Sequence, residues 1–275
     1  MKVRVFAGLG ILALLLNACA SAPVPLPPTP TPFPTPGVTL RWVYPETYTP
    51  LVTALAQAYQ RTHPQHRLIL VPEAETLAWT ALKEGAADVA LLFQVPEASG
   101  WWTQTLAWDG LAIIVHPFNG VPGLTLADVR QLFTGQVFRW STLNGPEGTP
   151  QIVSREEASG EMLMLRRLVL EANPVTPTAL LAPSTDLMLE FVAGEPLAIG
   201  YGMQSRLTAQ VRAVPIEGVP PSPEAIAAGA YPLRVPVMLA VPDAPTAGPL
   251  ADFVAWMTGP EARALFTAQS LIVAP

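Results

Sequence analysis

The sequence predicts an α/β protein: mostly parallel sheet flanked by helices, with enough chain for two lobes. Three observations carry this. From Thr39 onward, short apolar runs alternate with segments of helical periodicity. The first three strand-like runs are separated by helical segments, an order that implies parallel pairing through right-handed crossovers. Roughly 240 residues follow the last proline of a proline-dense stretch near the N-terminus, enough for one large core or two lobes.

The elements follow in order. Thr39–Tyr44 (TLRWVY) has strand character, and Leu51–Arg61 (LVTALAQAYQR) places apolar residues at helical spacing. Arg67–Val71 is a second strand, Thr76–Glu84 a helix stopped by Gly85, and Asp88–Leu92 a buried-strand run. Leu111–Val115 (LAIIV) is another strand, and Leu126–Phe133 a short helix closed by Gly135. Ile152–Ser154 ends a strand, and Gly160–Ala172 is expected to be one helix. Asp186–Val192 is helical, Leu197–Tyr201 a strand and Pro223–Ala228 helical. Val235–Val241 (VPVMLAV) is a strand whose internal Pro236 points to an edge or hinge position. Leu250–Met257 and Pro260–Ala268 finish the chain as helices.

Composition excludes several classes. Half the residues are hydrophobic and 13% are charged, which excludes wholesale disorder. The formal charge is −6, and an acidic chain without a basic stripe argues against general nucleic-acid binding; its basic residues are almost all arginine, with Lys2 and Lys83 the only lysines. Residues 1–18 read as a secretory leader: Lys2 and Arg4, then an apolar run from Val5 to Leu16 that is short for a membrane span. Leu16-Asn17-Ala18-Cys19 is similar to a bacterial lipobox, which implies cleavage before Cys19 and its lipidation. Cys19 is the sole cysteine, so neither an internal disulfide nor a multi-cysteine metal site is available. Eight prolines between Pro23 and Pro36 make residues 19–37 a semi-rigid polyproline tether.

Catalytic signals are sparse. His63 and His66 flank Pro64 in an expected surface loop, and His116 sits at a strand end before Pro117. No GxSxG elbow, P-loop, GxGxxG fingerprint or HExxH helix occurs. The reading is a binding protein without catalytic, metal or cofactor residues.

The segment Ile152–Leu165 (IVSREEASGEMLML) does carry a signal. A strand ends at Ser154, a charged loop follows, and Ser159-Gly160 opens an apolar helix. A helix N-terminus offers unsatisfied N–H groups and the positive dipole end. Ser159 adds a hydroxyl, Gly160 admits a ligand to the backbone, and Arg155 can clamp an oxyanion with two parallel bonds. The same residues equally suit a plain helix start, with Ser159 as N-cap and Arg155 paired to Glu156 or Glu157 in solvent. Local chemistry leaves both open.

At a larger scale the sequence resembles the substrate-binding proteins of phosphate ABC transporters. The resemblance runs through Trp108-Asp109-Gly110-Leu111-Ala112, Leu124-Thr125-Leu126, Leu132-Phe133-Thr134-Gly135-Gln136-Val137 with Trp140, and SREEASGE. It continues through Ala198-Ile199-Gly200-Tyr201, Val214–Val219, Pro221-Ser222-Pro223 and Tyr231-Pro232-Leu233. It is weaker from Val38 to Val95, where it rests on element order and Gly85–Ala90. It implies a two-lobed periplasmic-binding-protein fold, each lobe a mostly parallel sheet flanked by helices, joined by two hinge crossovers. Residues 38–275 would form this body, with 38–114 and 232–275 in lobe one and 115–231 in lobe two. It also implies a monomer that carries a small oxyanion in the interlobe cleft to an ABC permease. A lipid-anchored surface sensor or scaffold that has lost phosphate binding is the alternative.

The resemblance extends residue by residue to the site, and it also breaks there. In the family an Arg and a Ser-Gly-Thr of lobe two bind phosphate. Here Arg155, Ser159 and Gly160 match, and Glu161 replaces the Thr. The family's small loops after the first two strands, and an Asp after the third, correspond to Tyr44–Thr47, Glu73–Thr76 and Leu91–Gln94. Thr47, Thr76 and Phe93 are therefore the expected ligand-facing residues of lobe one. A carboxylate ~5 Å from a bound anion, at an effective dielectric of ~20, costs about 3 kcal/mol. Glu161 or a lobe-one glutamate facing the cleft would thus oppose phosphate by roughly a hundredfold.

Overall fold

The computed structural model describes residues 37–96 and 99–274; the leader, Cys19 and the tether up to residue 36 lie outside the described residues. The first sheet begins with β1 (Thr39–Tyr44), which pairs in parallel with β2 (Arg67–Pro72) and β3 (Val89–Leu92). Parallel neighbours require crossovers, and α1 (Thr49–Thr62) and α2 (Glu75–Lys83) supply them. Helix α1 buries Leu51, Val52, Leu55, Ala58 and Tyr59 along one face. Tyr59 meets Phe253 edge-on with ring centroids 5.1 Å apart, and Phe253 meets Trp42 of β1 at the same separation. His66, expected in a surface loop, is buried instead, its Nδ1 2.6 Å from the Tyr59 hydroxyl.

Strand β4 (Trp102–Val115) joins the two lobes. Its residues Trp102–Gly110 pair with β9 (Arg234–Val241), and Leu111–Val115 pair with β7 (Ala198–Met203). The first sheet runs β2-β1-β3-β9-β4. The second continues from β4 through β7 to β5 (Gln151–Ser154) and β6 (Leu180–Leu181), with β8 (Arg212–Ala213) also on β4. The chain returns beside its outward path: the Leu111 amide donates to the Leu233 carbonyl at 2.8 Å, and the Tyr231 hydroxyl donates to the Leu111 carbonyl at 3.0 Å. Helices α3 (Leu126–Phe133), α4 (Gly160–Leu165), α5 (Thr185–Gly194) and α6 (Pro223–Ala227) follow β4 in the chain. After β9 come α7 (Pro249–Met257), α8 (Pro260–Ala268) and β10 (Ile272–Val273), the last pairing with β4.

Two further expectations differ from the structure. The strand containing Pro236 is not at an edge: β9 lies between β3 and β4. Its pairing with β3 spans only Met238–Ala240, so Pro236 stands past the end of β3, where its missing N–H breaks no bond to that neighbour. The single helix expected over Gly160–Ala172 is instead α4 followed by a wider π-helical turn over Arg166–Leu170, which ends at Glu171 with φ 55°.

Candidate functional site: a cleft filled by the chain's own carboxylates

The loops after β1 and β2 and the start of α2, all on the side of the first sheet, face the end of β5, the start of α4 and the segment just before α5. Between them lies a cavity of about 370 Å³, lined by Glu46, Glu73, Arg155, Glu156, Gly160 and Glu161 among others. Among the described residues, Arg155 is its only basic lining residue.

Strand β5 delivers Arg155 directly. Tyr201 of β7 is buried, and its hydroxyl lies 3.1 Å from Ser154 Oγ and accepts from the Arg155 amide at 2.9 Å. This fixes the backbone where the strand ends, and the Arg155 side chain is only 4% exposed. Its guanidinium meets three carboxylates. Nε and Nη2 donate to Glu156 at 3.2 and 3.1 Å, Nη1 lies 3.5 Å from Glu161 Oε1, and Nη2 lies 3.6 Å from Glu46 Oε2. Nη1 also donates to Thr185 Oγ1 at 3.2 Å. Burial pulls the guanidinium pKa down, but the surrounding carboxylates, Glu161 first, more than reverse this and leave it raised.

Glu161 is buried, and desolvation raises its pKa, although Arg155 and Thr185 act the other way. Thr185 Oγ1 lies 3.1 Å from Glu161 Oε1 and 3.0 Å from Glu46 Oε2. A hydroxyl has one proton to give, so at any instant one of these carboxylates goes without it. Glu46 also accepts from the Thr185 amide at 3.2 Å, from the opposite side of the cleft.

Deeper in, α2 turns Glu75 inward. Its Oε1 accepts from the Phe93 and Gln94 amides at 2.8 and 3.0 Å, while Oε2 is buried without a partner among the described residues. Desolvation outweighs those two bonds and pushes the Glu75 carboxyl up to about 8. The Phe93 ring covers Gly160: a Cβ added there would fall 2.3 Å from Cδ2 and 3.1 Å from Glu75 Oε2. Gly160 was expected to admit a ligand to the backbone; the group close to it here is the Phe93 ring.

A second cross-sheet contact lies at the crossover. Asp109 of β4 is buried and accepts from the Tyr48 hydroxyl at 3.0 Å, from Ser205 Oγ and N, and from the Gly110 amide. Among the described residues no cluster of His, Cys, Asp and Glu has metal-binding geometry.

The sequence profile described as a PBP superfamily domain matches residues 39–261. The chain belongs to the PBP superfamily. Among curated proteins it is 27% identical over 192 residues to the phosphate-binding protein PstS of Bacillus subtilis, covering 67% of this chain. The aligned chain spans 63% of that relative's length. A structure of an ABC-type phosphate transport receptor from Vibrio cholerae matches with a TM-score of 0.77 and 26% identity, over 86% of this chain and all of that one. A phosphate-bound substrate-binding protein from Clostridium perfringens matches with a TM-score of 0.79 and 22% identity, over 86% and 100% of the two chains. The two-lobed α/β fold of this PBP-superfamily protein is thus shared with phosphate receptors.

Within this PBP-superfamily fold the expected site residues are placed unequally. Arg155, Ser159, Gly160, Glu161 and Phe93 come together. Ser159 Oγ accepts from the Met162 amide at 3.2 Å, the bond of an N-cap. Thr47 is buried, and its hydroxyl has no partner among the described residues. Thr76 is not brought in. It lines a different cavity with Trp79, Lys83 and Trp101, because the neighbouring Glu75 takes the inward position and the next helical residue is rotated by about 100°. Arg155 is not solvated as the plain-helix alternative had it: it pairs with Glu156 while buried, and Glu157 pairs with Arg166. The sequence allows a lobe-one glutamate to face the cleft, and Glu46 is one that does so; its bond to Thr185, and Thr185 itself, were not expected. Ser184 accepts from the Leu187 amide as the N-cap of α5, so the Ser184-Thr185-Asp186 run has the form of an ordinary helix start.

Proposed function

We propose that this chain is a lipid-anchored, extracytoplasmic solute-binding protein of the phosphate-receptor type, which takes a small oxyanion into the interlobe cleft and presents it to an ABC permease. One observation carries the reading: Arg155, buried at the end of β5, is among the described residues the only cation lining the cavity between the two sheets. The names of the Bacillus subtilis and Vibrio cholerae relatives support the ligand class and the transport role. Membership of the superfamily supports binding rather than catalysis, and an extracytoplasmic location.

A titration series tests the ligand. The chain without its leader is expected to release or absorb heat with at least one of phosphate, sulfate and arsenate. Arg155→Lys should weaken that binding by about tenfold, because an ammonium does not reproduce the planar fork. No heat with any oxyanion would favour the sensor or scaffold that has lost phosphate binding. The ring of carboxylates on Arg155 is what speaks for that second reading.

The anchor at Cys19 rests on the leader sequence. Cys19→Ser should yield protein that is either unprocessed or released from the membrane. Recovery of that variant from the membrane fraction as mature protein would remove the lipid from the proposal.

A further inference from the structure

We propose that Glu46 acts as a tethered anion: its carboxylate, carried by lobe one, takes the oxyanion position on lobe two and latches the cleft, so that an incoming solute anion must displace it. The inference rests on the oxyanion reading above and names the residue that sets its specificity.

Three donors from lobe two converge on one oxygen of Glu46. The Thr185 amide lies 3.2 Å away, the Thr185 hydroxyl 3.0 Å, and Arg155 Nη2 3.6 Å. A backbone N–H at the start of a ten-residue helix, a hydroxyl and a guanidinium form the donor set that suits an oxyanion. The acceptor they hold is part of the chain, and it crosses from the opposite sheet. Pro45, in extended conformation just after β1, aims it there.

A second, independent observation lies deeper. Glu75 is wholly buried, and its Oε2 has no partner among the described residues, yet it points at Gly160 of lobe two. Polar valence therefore remains unfilled along the same interlobe surface.

The two carboxylates on Arg155 from outside its own loop differ in a way that decides which can move. Glu161 belongs to lobe two and its side chain is 4% exposed. Glu46 belongs to lobe one and its side chain is 40% exposed. An ion pair open to water holds weakly, so Glu46 can withdraw into solvent while Glu161 stays. When Glu46 is in place, a second anion at the same donors meets a like charge at close range. That discriminates most strongly against dianions.

Scattering and titration of Glu46→Ala and Glu46→Gln test this together. In phosphate-free buffer the unaltered protein should have a compact radius of gyration that added phosphate leaves unchanged. Glu46→Ala should enlarge the radius and raise phosphate affinity by at least tenfold. Glu46→Gln keeps an acceptor for Thr185 but loses the charge, so it should raise the affinity with a smaller change in radius. An unaltered protein that is expanded and contracts on phosphate would overturn the latch. So would identical radii for all three proteins, or phosphate binding of equal strength in all three. Enlarged radii without heat from phosphate or sulfate in any of them would leave the latch standing and sink the oxyanion reading instead.

Discussion

Replacing Arg155 by alanine is expected to lower the melting temperature at pH 8 by roughly 6–20 °C, from a loss of about 3–5 kcal/mol for breaking a buried pair and about 2–4 °C per kcal/mol in a domain of this size. The loss comes from Glu161 rather than from Glu46 or Glu156. Those two side chains are each 40% exposed and can turn to water, whereas Glu161 is 4% exposed on its side chain and has no other cation in contact among the described residues. Without Arg155, Glu161 must either hold an uncompensated charge or take up a proton. Its folded pKa, already raised by desolvation, rises further when its main lowering partner is gone. The sign follows. A carboxyl with a raised folded pKa gives stability that is fully present below its unfolded value and is lost as pH climbs through the folded value. The deficit of Arg155→Ala should therefore shrink at pH 5 and grow toward pH 8. Melting curves of both proteins across that range check this, and a deficit independent of pH would show that lost packing, not the stranded carboxylate, is responsible.

Glu75→Gln is expected to act in the opposite direction. The Glu75 carboxyl is raised from 4.5 to about 8, chiefly by desolvation, with Glu161 adding to the rise and the Phe93 and Gln94 amides opposing it. Between those values the folded protein holds a proton that the unfolded chain has released. Stability should then fall as pH rises from about 5 to 8, by on the order of 5 kcal/mol at 1.36 kcal/mol per pKa unit. Glutamine keeps an oxygen for the two amides and cannot ionise. The variant should lose most of that pH slope and melt higher than the unaltered protein at pH 8. Urea denaturation at pH 5.5, 7 and 8.5 measures the slope directly. Equal slopes in the two proteins would mean that Glu75 is ionised in the fold and paired in some other way.

Much of the framework was legible because it is local. The alternation from β1 to β3 shows in the sequence as apolar runs separated by helical spacing, and each run became the expected element. Trp102–Gly110 was not legible as a strand because the register of β4 against β9 shifts between Thr105 and Ala107, which breaks the two-residue alternation that marks a strand. The lobe-two half of the site was legible for the same local reason: Arg155, Ser159, Gly160 and Glu161 lie within seven residues of one another. The other half was not. Glu46 and Thr185 are 139 residues apart, and nothing in either segment marks the partner. The choice between Glu75 and Thr76 turns on the phase of one short helix, which a single residue reverses.

The position of β9 also bears on the order in which the chain acquires structure. Strand β3 has β1 on one side and β9 on the other, and the first half of β4 is held by β9 and the two-residue β10. Both β9 and β10 lie in the last forty-two residues. A chain that emerges N-terminus first therefore presents β2-β1-β3 as an open sheet with an unpaired edge at β3. The first half of β4 stays without a neighbour until Arg234–Val241 arrives. Such late, long-range pairing folds slowly and leaves an adhesive edge exposed in the interval. The keystone strand is also the one with a proline near its start, at a point where neither β3 nor a fibril-like partner can use the missing N–H.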